Sequence, residues 1–123
     1  MFHINRASST PLHVQLEEQI HFGIHSGQLA PGTRLPPVRA LAGQLSLNTN
    51  TVVRVYRDLQ SSGYLVMERG AGTSVAPRPP GPPLDRADLK KIRCKTKRLV
   101  RLCQDAGMTL GELTQLTEGV WRE

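Results

Sequence analysis

One hundred and twenty-three residues, at about 150 per domain, leave room for one domain or one small domain with an appendage. The chain is 38% hydrophobic and 21% charged, has five aromatic residues, and carries a formal charge of +6 with a pI near 10.0. Two cysteines without a signal-like apolar start, and no apolar run near the ~20 residues of a bilayer span, argue against secreted, disulfide-stapled and membrane proteins, while the basic balance points to an anionic partner.

Ser9-Thr10-Pro11 opens the first predicted helix, with a capping residue followed by proline at the first helical position. Leu12, Leu16, Ile20 and Ile24 recur every fourth residue, and Gly27 ends the run. Pro31-Gly32 predicts a turn. Pro36-Pro37 starts a shorter helix with Val38, Leu41, Ala42 and Leu45 on one face. Asn48 is the expected cap of a third helix, on which Val52, Val55, Tyr56 and Leu59 cluster within about 100° by the 3.6-residue period. Gly63 stops that helix. Residues 64–68 and 73–76 then predict two short strands joined by Arg69-Gly70-Ala71-Gly72. Three helices followed by a small hairpin is the order of a winged helix-turn-helix, expected over residues 1–76.

Residues 76–83, Ala-Pro-Arg-Pro-Pro-Gly-Pro-Pro, cannot continue a helix or a central strand, so 77–84 is expected to act as a proline-rich linker. Beyond it, residues 85–106 predict one helix. Leu89, Ile92, Leu99, Val100, Leu102, Cys103 and Ala106 are read on one side, with Lys90, Lys91, Arg93, Lys95, Lys97, Arg98 and Arg101 on the other. Gly107 ends it, and Thr109 caps a last helix with Leu110, Leu113, Leu116, Val120 and Trp121 on one face. Two such helices bury little alone, so residues 85–123 are expected to pair with a second copy and form a helical dimerisation segment. The expected fold is therefore mainly α with a small β-hairpin: a winged helix-turn-helix followed by a two-helix dimerisation segment.

The third helix leaves Asn50, Val53, Arg54, Arg57 and Ser61 opposite its apolar stripe. Amide and guanidinium groups there suit a major groove, where Arg pairs with guanine and Asn with adenine. Arg39 lies off the apolar face of the second helix, where it suits a phosphate. The hairpin tip carries Arg69 beside Gly70 and Gly72, and suits a backbone or minor-groove approach. Double-stranded DNA is thus the expected partner, with a second copy of the chain.

These residues resemble a known family. Pro11-Leu12-His13-Val14-Gln15-Leu16, Gly27-Gln28-Leu29, Pro31-Gly32-Thr33-Arg34-Leu35-Pro36-Pro37-Val38-Arg39, Tyr56-Arg57-Asp58-Leu59, Gly63-Tyr64-Leu65 and Gly70-Ala71-Gly72-Thr73 look like the GntR family of bacterial transcriptional regulators. The likeness covers nearly all of residues 9–76. The Asn48-Thr49-Asn50-Thr51-Val52 string and the short C-terminal part are similar to its YtrA subfamily. The resemblance implies DNA contacts at Arg39, at the helix start Asn48, Thr49, Asn50 and Thr51, and at Gly70 and Gly72, and a C-terminal extension used for dimerisation. Ala40 departs from a commonly acidic position and Pro37 from a common serine. Thr49 and Val53 stand where many relatives outside the subfamily have arginine. Affinity is then expected to lean on Arg39, Arg54, Arg57 and Arg69, with about 0.9 units of salt slope per neutralised phosphate.

Two rival readings remain: a non-specific nucleic-acid binder using the basic C-terminal helix, and a protein-interaction module using the proline-rich stretch and C-terminal helices. The basic run is read either as a solvated face or as a second phosphate-contacting surface. His21 and His25 sit four apart, but no cysteine or carboxylate joins them at an obvious position, so no metal is expected. Cys94 falls on the basic side as a candidate redox thiol, whereas Cys103 reads as core. No nucleophile–base pair, paired-carboxylate site or phosphate loop is present in the pattern, so neither catalysis nor a cofactor is expected. A cytoplasmic location follows from the regulator reading; the sequence names no effector.

Overall fold

The computed structural model describes residues 2–123. Its elements run α1 (Leu12–His25), α2 (Val38–Leu45), α3 (Thr49–Ser61), β1 (Leu65–Glu68), β2 (Gly72–Val75), α4 (Arg86–Asp105) and α5 (Leu110–Trp121). They divide into two compact units, the first ending at Leu84 and the second covering Asp85–Glu123.

In the first unit the three apolar stripes converge. Leu16, Ile20 and Ile24 of α1, Leu41 and Ala42 of α2, and Val52, Val55, Tyr56 and Leu59 of α3 form one buried cluster, closed by Leu29, Leu35, Leu47, Leu65 and Val75. Gly23 matters to the fit of α1: a Cβ there would lie 2.8 Å from Leu29 Cδ1. β1 and β2 pair antiparallel from Leu65↔Val75 to Glu68↔Gly72. A third segment joins this ribbon, which the turn expected at residues 31–32 did not foretell. Leu35 N–H donates to Thr73 O at 2.8 Å, Val75 N–H donates to Thr33 O at 2.8 Å, and Arg34 bridges Ser74.

The caps differ in kind. Asn48 Oδ1 accepts from Asn50 N–H at 2.8 Å, as its residue type predicts. At α1 the structure corrects the expectation: Pro11 itself is the N-cap, with no side-chain cap bond. The Gln15 side chain instead bonds Asn5 O at 2.9 Å and Thr10 O at 2.8 Å. Gln15 and Gln19 also accept from the backbone of Asn5 and His3, so two glutamines one turn apart hold the N-terminal segment along α1. Arg6 donates to the carbonyls of Leu45 and Ser46, at the turn between α2 and α3. Ser46 there is left-handed, φ 53°.

Residues 77–84 belong to the first unit. Leu84 N–H donates to His25 O at 3.0 Å, and a Cβ on Gly63 would sit 3.3 Å from Pro80 Cγ, so the proline stretch lies close against the end of α3.

In the second unit, Asp85 caps α4 by accepting from Ala87 N–H at 2.8 Å. Thr109 caps α5 through a reciprocal box with Glu112, Glu112 N–H reaching Thr109 Oγ1 at 3.1 Å. Of the eleven residues expected to dimerise, Cys103 alone is buried, and Leu89 and Leu113 are half-buried. Ile92, Leu99, Val100, Leu102, Leu110, Leu116, Val120 and Trp121 are exposed, Trp121 by 88%. By the helical step of about 100°, Lys95 falls between Leu102 and Ala106 on the apolar arc, a correction to its assignment to the basic side.

Candidate nucleic-acid interface

Burial of Val52, Val55, Tyr56 and Leu59 decides which way α3 faces. Asn50, Arg54 and Arg57 are left exposed on one strip, with Val53 half-buried among them. Asn48 and Thr49 are exposed at the helix start, and Thr51 is half-buried. Arg54 Nε lies 4.0 Å from Asp58 Oδ2, with both side chains about half exposed or more. A pair that open holds the guanidinium weakly and leaves it free to meet another anion.

α3 is itself anchored by Tyr56, whose hydroxyl donates to Pro36 O at 2.6 Å. Burial pushes this hydroxyl up to about 12 from its usual 10.0, so it stays a neutral donor throughout the ordinary pH range. The bond ties α3 to the segment that carries residues 33–35 into the ribbon. Helix and hairpin are thereby held to one scaffold.

The hairpin tip turns through Gly70 and Gly72, each at φ +80°, where a side chain would be strained although nothing lies within 4 Å of either position. Arg69 is exposed beside them. An open groove of about 750 Å³ runs past this tip, lined by Arg34, Pro37, Gln60, Met67, Arg69 and Thr73. Arg34 is the residue that sequence reasoning did not count as a contact. Its signal was the Thr33-Arg34-Leu35 alternation, exposed arginine beside buried leucine, but that run is too short to announce a strand. Arg39 is exposed near the start of α2 and does not line the groove. The candidate site is therefore two surfaces: a polar strip along α3, and a groove at the hairpin lined by Arg34, Glu68 and Arg69 among others.

Three buried helical stripes, a capped third helix with a polar outer strip, and a hairpin with a glycine tip make a winged-helix module of the transcription-regulator class. Residues 12–75 match the family described as bacterial regulatory proteins, gntR family, and the chain belongs to that family. Among curated relatives, the regulator YhcF of Bacillus subtilis is 31% identical over 116 residues, 91% of this chain and 94% of that one. The transcriptional repressor YtrA of the same organism is 37% identical over 76 residues, 62% of this chain and 58% of its own length. Of other relatives the chain spans smaller shares, 54% of one and 16% of another. A structure of YtrA from Sulfolobus acidocaldarius, described as a GntR-family transcription factor, has a TM-score of 0.59 at 25% identity, covering 98% of this chain and 97% of that one. The AraR DNA-binding domain in complex with operator ORX1 has a TM-score of 0.55 at 26% identity, over 61% of this chain and 96% of that one. The protein is thus a YtrA-like member of a family of DNA-binding transcriptional regulators.

Proposed function

We propose that the protein is a sequence-specific repressor that binds a palindromic operator as a homodimer. The observation that carries this is the exposed strip of α3: Asn50, Arg54 and Arg57 face outward from a helix whose opposite side is buried. Asn50 and Arg57 read base edges in the major groove, Arg54 and Arg39 hold phosphates, and Asn48, Thr49 and Thr51 set the helix start against the backbone. Gly70 and Gly72 bring the hairpin close to the backbone or minor groove, with Arg69 and Arg34 supplying charge. α4 and α5 pair two subunits through Leu99, Leu102, Leu110, Leu116, Val120 and Trp121, whose exposure in the single chain supports an apolar partner. Repression by occupying a promoter agrees with the designation of the Bacillus subtilis YtrA relative as a transcriptional repressor. Such a regulator works in the cytoplasm, where its DNA is.

The experiment is binding selection on random duplexes with the full-length protein. A consensus with two inverted half-sites about one helical turn apart, ~34 Å, is expected. A single half-site or no consensus refutes the dimeric reader.

A second reading has its own observation. The basic residues of α4 are all exposed, and among the described residues none has an acidic partner within 4.0 Å. A chain that relied on this face would bind duplexes without preference. Competition with unrelated DNA at physiological salt separates the two, since a specific regulator keeps a preference of roughly a thousandfold or more.

A further inference from the structure

Between the last turn of α1, the joint from α3 to β1, and residues 79–83 lies a cleft of about 390 Å³, wholly inside the first unit. That volume falls at the small end of the range of about 300–1,000 Å³ typical of ligand pockets, and suits a molecule of one or two rings. It is lined by His21, Ile24 and His25 of α1, by Tyr64, and by the proline rings of residues 79–83. The His21 ring stands edge-on to Tyr64 with centroids 4.7 Å apart, and His25 lies 6.2 Å from His21. Among the described residues, neither imidazole nor the Tyr64 hydroxyl makes a side-chain hydrogen bond to protein, and no carboxylate lines the cleft. The cleft therefore offers apolar walls, aromatic edges and unmatched donors with no negative charge.

We propose that this cleft is an effector site for a planar aromatic carboxylate, its ring against Tyr64 and the prolines and its carboxylate on His21 and His25. The regulatory half of the proposal rests on the DNA-binding reading above. Tyr64 sits at the joint between recognition helix and hairpin, its N–H donating to Leu59 O at 2.9 Å and its carbonyl accepting from Ala76 N–H at 2.9 Å. Just past the cleft's last lining residue, Pro83, Leu84 N–H donates to the carbonyl of His25, and Asp85, the cap of α4, follows in the chain. A ligand wedged here bears on the backbone that sets α3 against the hairpin, and on the last residues before the pairing helices.

The test uses full-length protein labelled for magnetic resonance, with indole-3-acetate and 2-naphthoate as probes. Cyclohexylacetate and 2-methylnaphthalene, lacking the aromatic ring and the carboxylate respectively, are controls. Saturable shifts are expected at the His21, His25 and Tyr64 rings, with binding at least tenfold weaker for both controls and, read at the Tyr64 ring, for the His21→Ala/His25→Ala variant. Both histidines are exposed, so the variant should still melt cooperatively, its midpoint lowered only by loss of the His21–Tyr64 edge contact. Saturating probe should change affinity for the selected duplex at least threefold. No saturable shift from either aromatic carboxylate, equal binding by the variant, or an unchanged duplex affinity at saturation overturns the proposal. Failure to bind any duplex without probe would overturn the DNA reading instead, and the ring shifts would still decide the cleft.

Discussion

The two units of this chain solve the burial problem in opposite ways. The first closes fourteen residues from three helices, the hairpin and the segments between them into one cluster. The second, with thirty-nine residues and well-made caps at both helix starts, buries only Cys103. Local signals are, if anything, better in the second: α5 carries a complete capping box, whereas α1 has no side-chain cap at all. Caps decide where helices start, and packing decides whether they persist. The difference means that the first unit has a core of its own, whereas the second, in the dimer proposed above, would draw its stability from a partner.

The harshest way to break that comparison is to remove residues 85–123. The first unit should still melt cooperatively, because its core lies wholly within it. It should elute as a monomer and bind the palindromic duplex roughly 100-fold or more weaker, having lost the linkage between half-sites. Sedimentation and duplex titration check this; loss of cooperative melting would mean the first unit leans on the second. Paired point substitutions sharpen the contrast. Leu59→Ala, at a fully packed site, should cost about 2–5 kcal/mol in denaturant unfolding at any protein concentration. Leu102→Ala, at a 66% exposed site, should leave that transition in place and raise the dimer dissociation constant instead. Equal effects from both would erase the distinction between the units.

Within the first unit, the buried and exposed faces of α3 should separate stability from recognition. Asn50→Ala and Arg57→Ala each remove a group proposed to read a base edge, at a cost of about 1–3 kcal/mol of discrimination and no change in thermal midpoint. Tyr56→Phe should do the reverse, losing about 1 kcal/mol of stability with the Pro36 carbonyl left unpaired, while base preference is kept. It also has a pH signature. Because the folded hydroxyl is raised from 10.0 to about 12, the neutral form is favoured by folding. Its contribution is complete below pH 10 and is lost as pH climbs from 10 through 12. Stability curves of parent and variant should therefore run parallel below pH 10 and converge above it; parallel curves across the whole range would contradict the burial argument.

What could be read from the chain follows the same division between local and distant. The α3 stripe, the Asn48 cap, the glycine hairpin and the apolar faces of α4 and α5 are periodicities or caps within a few residues, so they are legible. The Arg34–Ser74 bridge joins residues forty apart, Arg6 reaches carbonyls thirty-nine and forty residues away, and Leu84 bonds His25 across fifty-nine. None of these leaves a local pattern. The proline run announced that it could not be helix or central strand, yet nothing in it said that it would lie along Gly63 and Tyr64 rather than stand free. The exposed polar strip of α3 was therefore readable, whereas the groove at Arg34 and the cleft at His21 emerge only from tertiary contacts.

The smallest expected effect probes the turn that aims α3. Ser46 caps α2 in the left-handed region at φ 53°, ψ 42°, which costs a residue with a Cβ about 1 kcal/mol. Glycine relieves that strain but enlarges the freedom of the unfolded chain, so the two terms oppose each other. The Ser46 side chain is exposed and makes no hydrogen bond among the described residues, so nothing else is lost on its removal. Arg6 grips the turn through the carbonyls of Leu45 and Ser46, which glycine keeps. Ser46→Gly should then raise stability by about 0.5 kcal/mol in denaturant titration, with the slope and duplex affinity unchanged. A loss of duplex affinity at unchanged stability would mean that the serine, rather than the arginine clasp, holds the recognition helix at its angle.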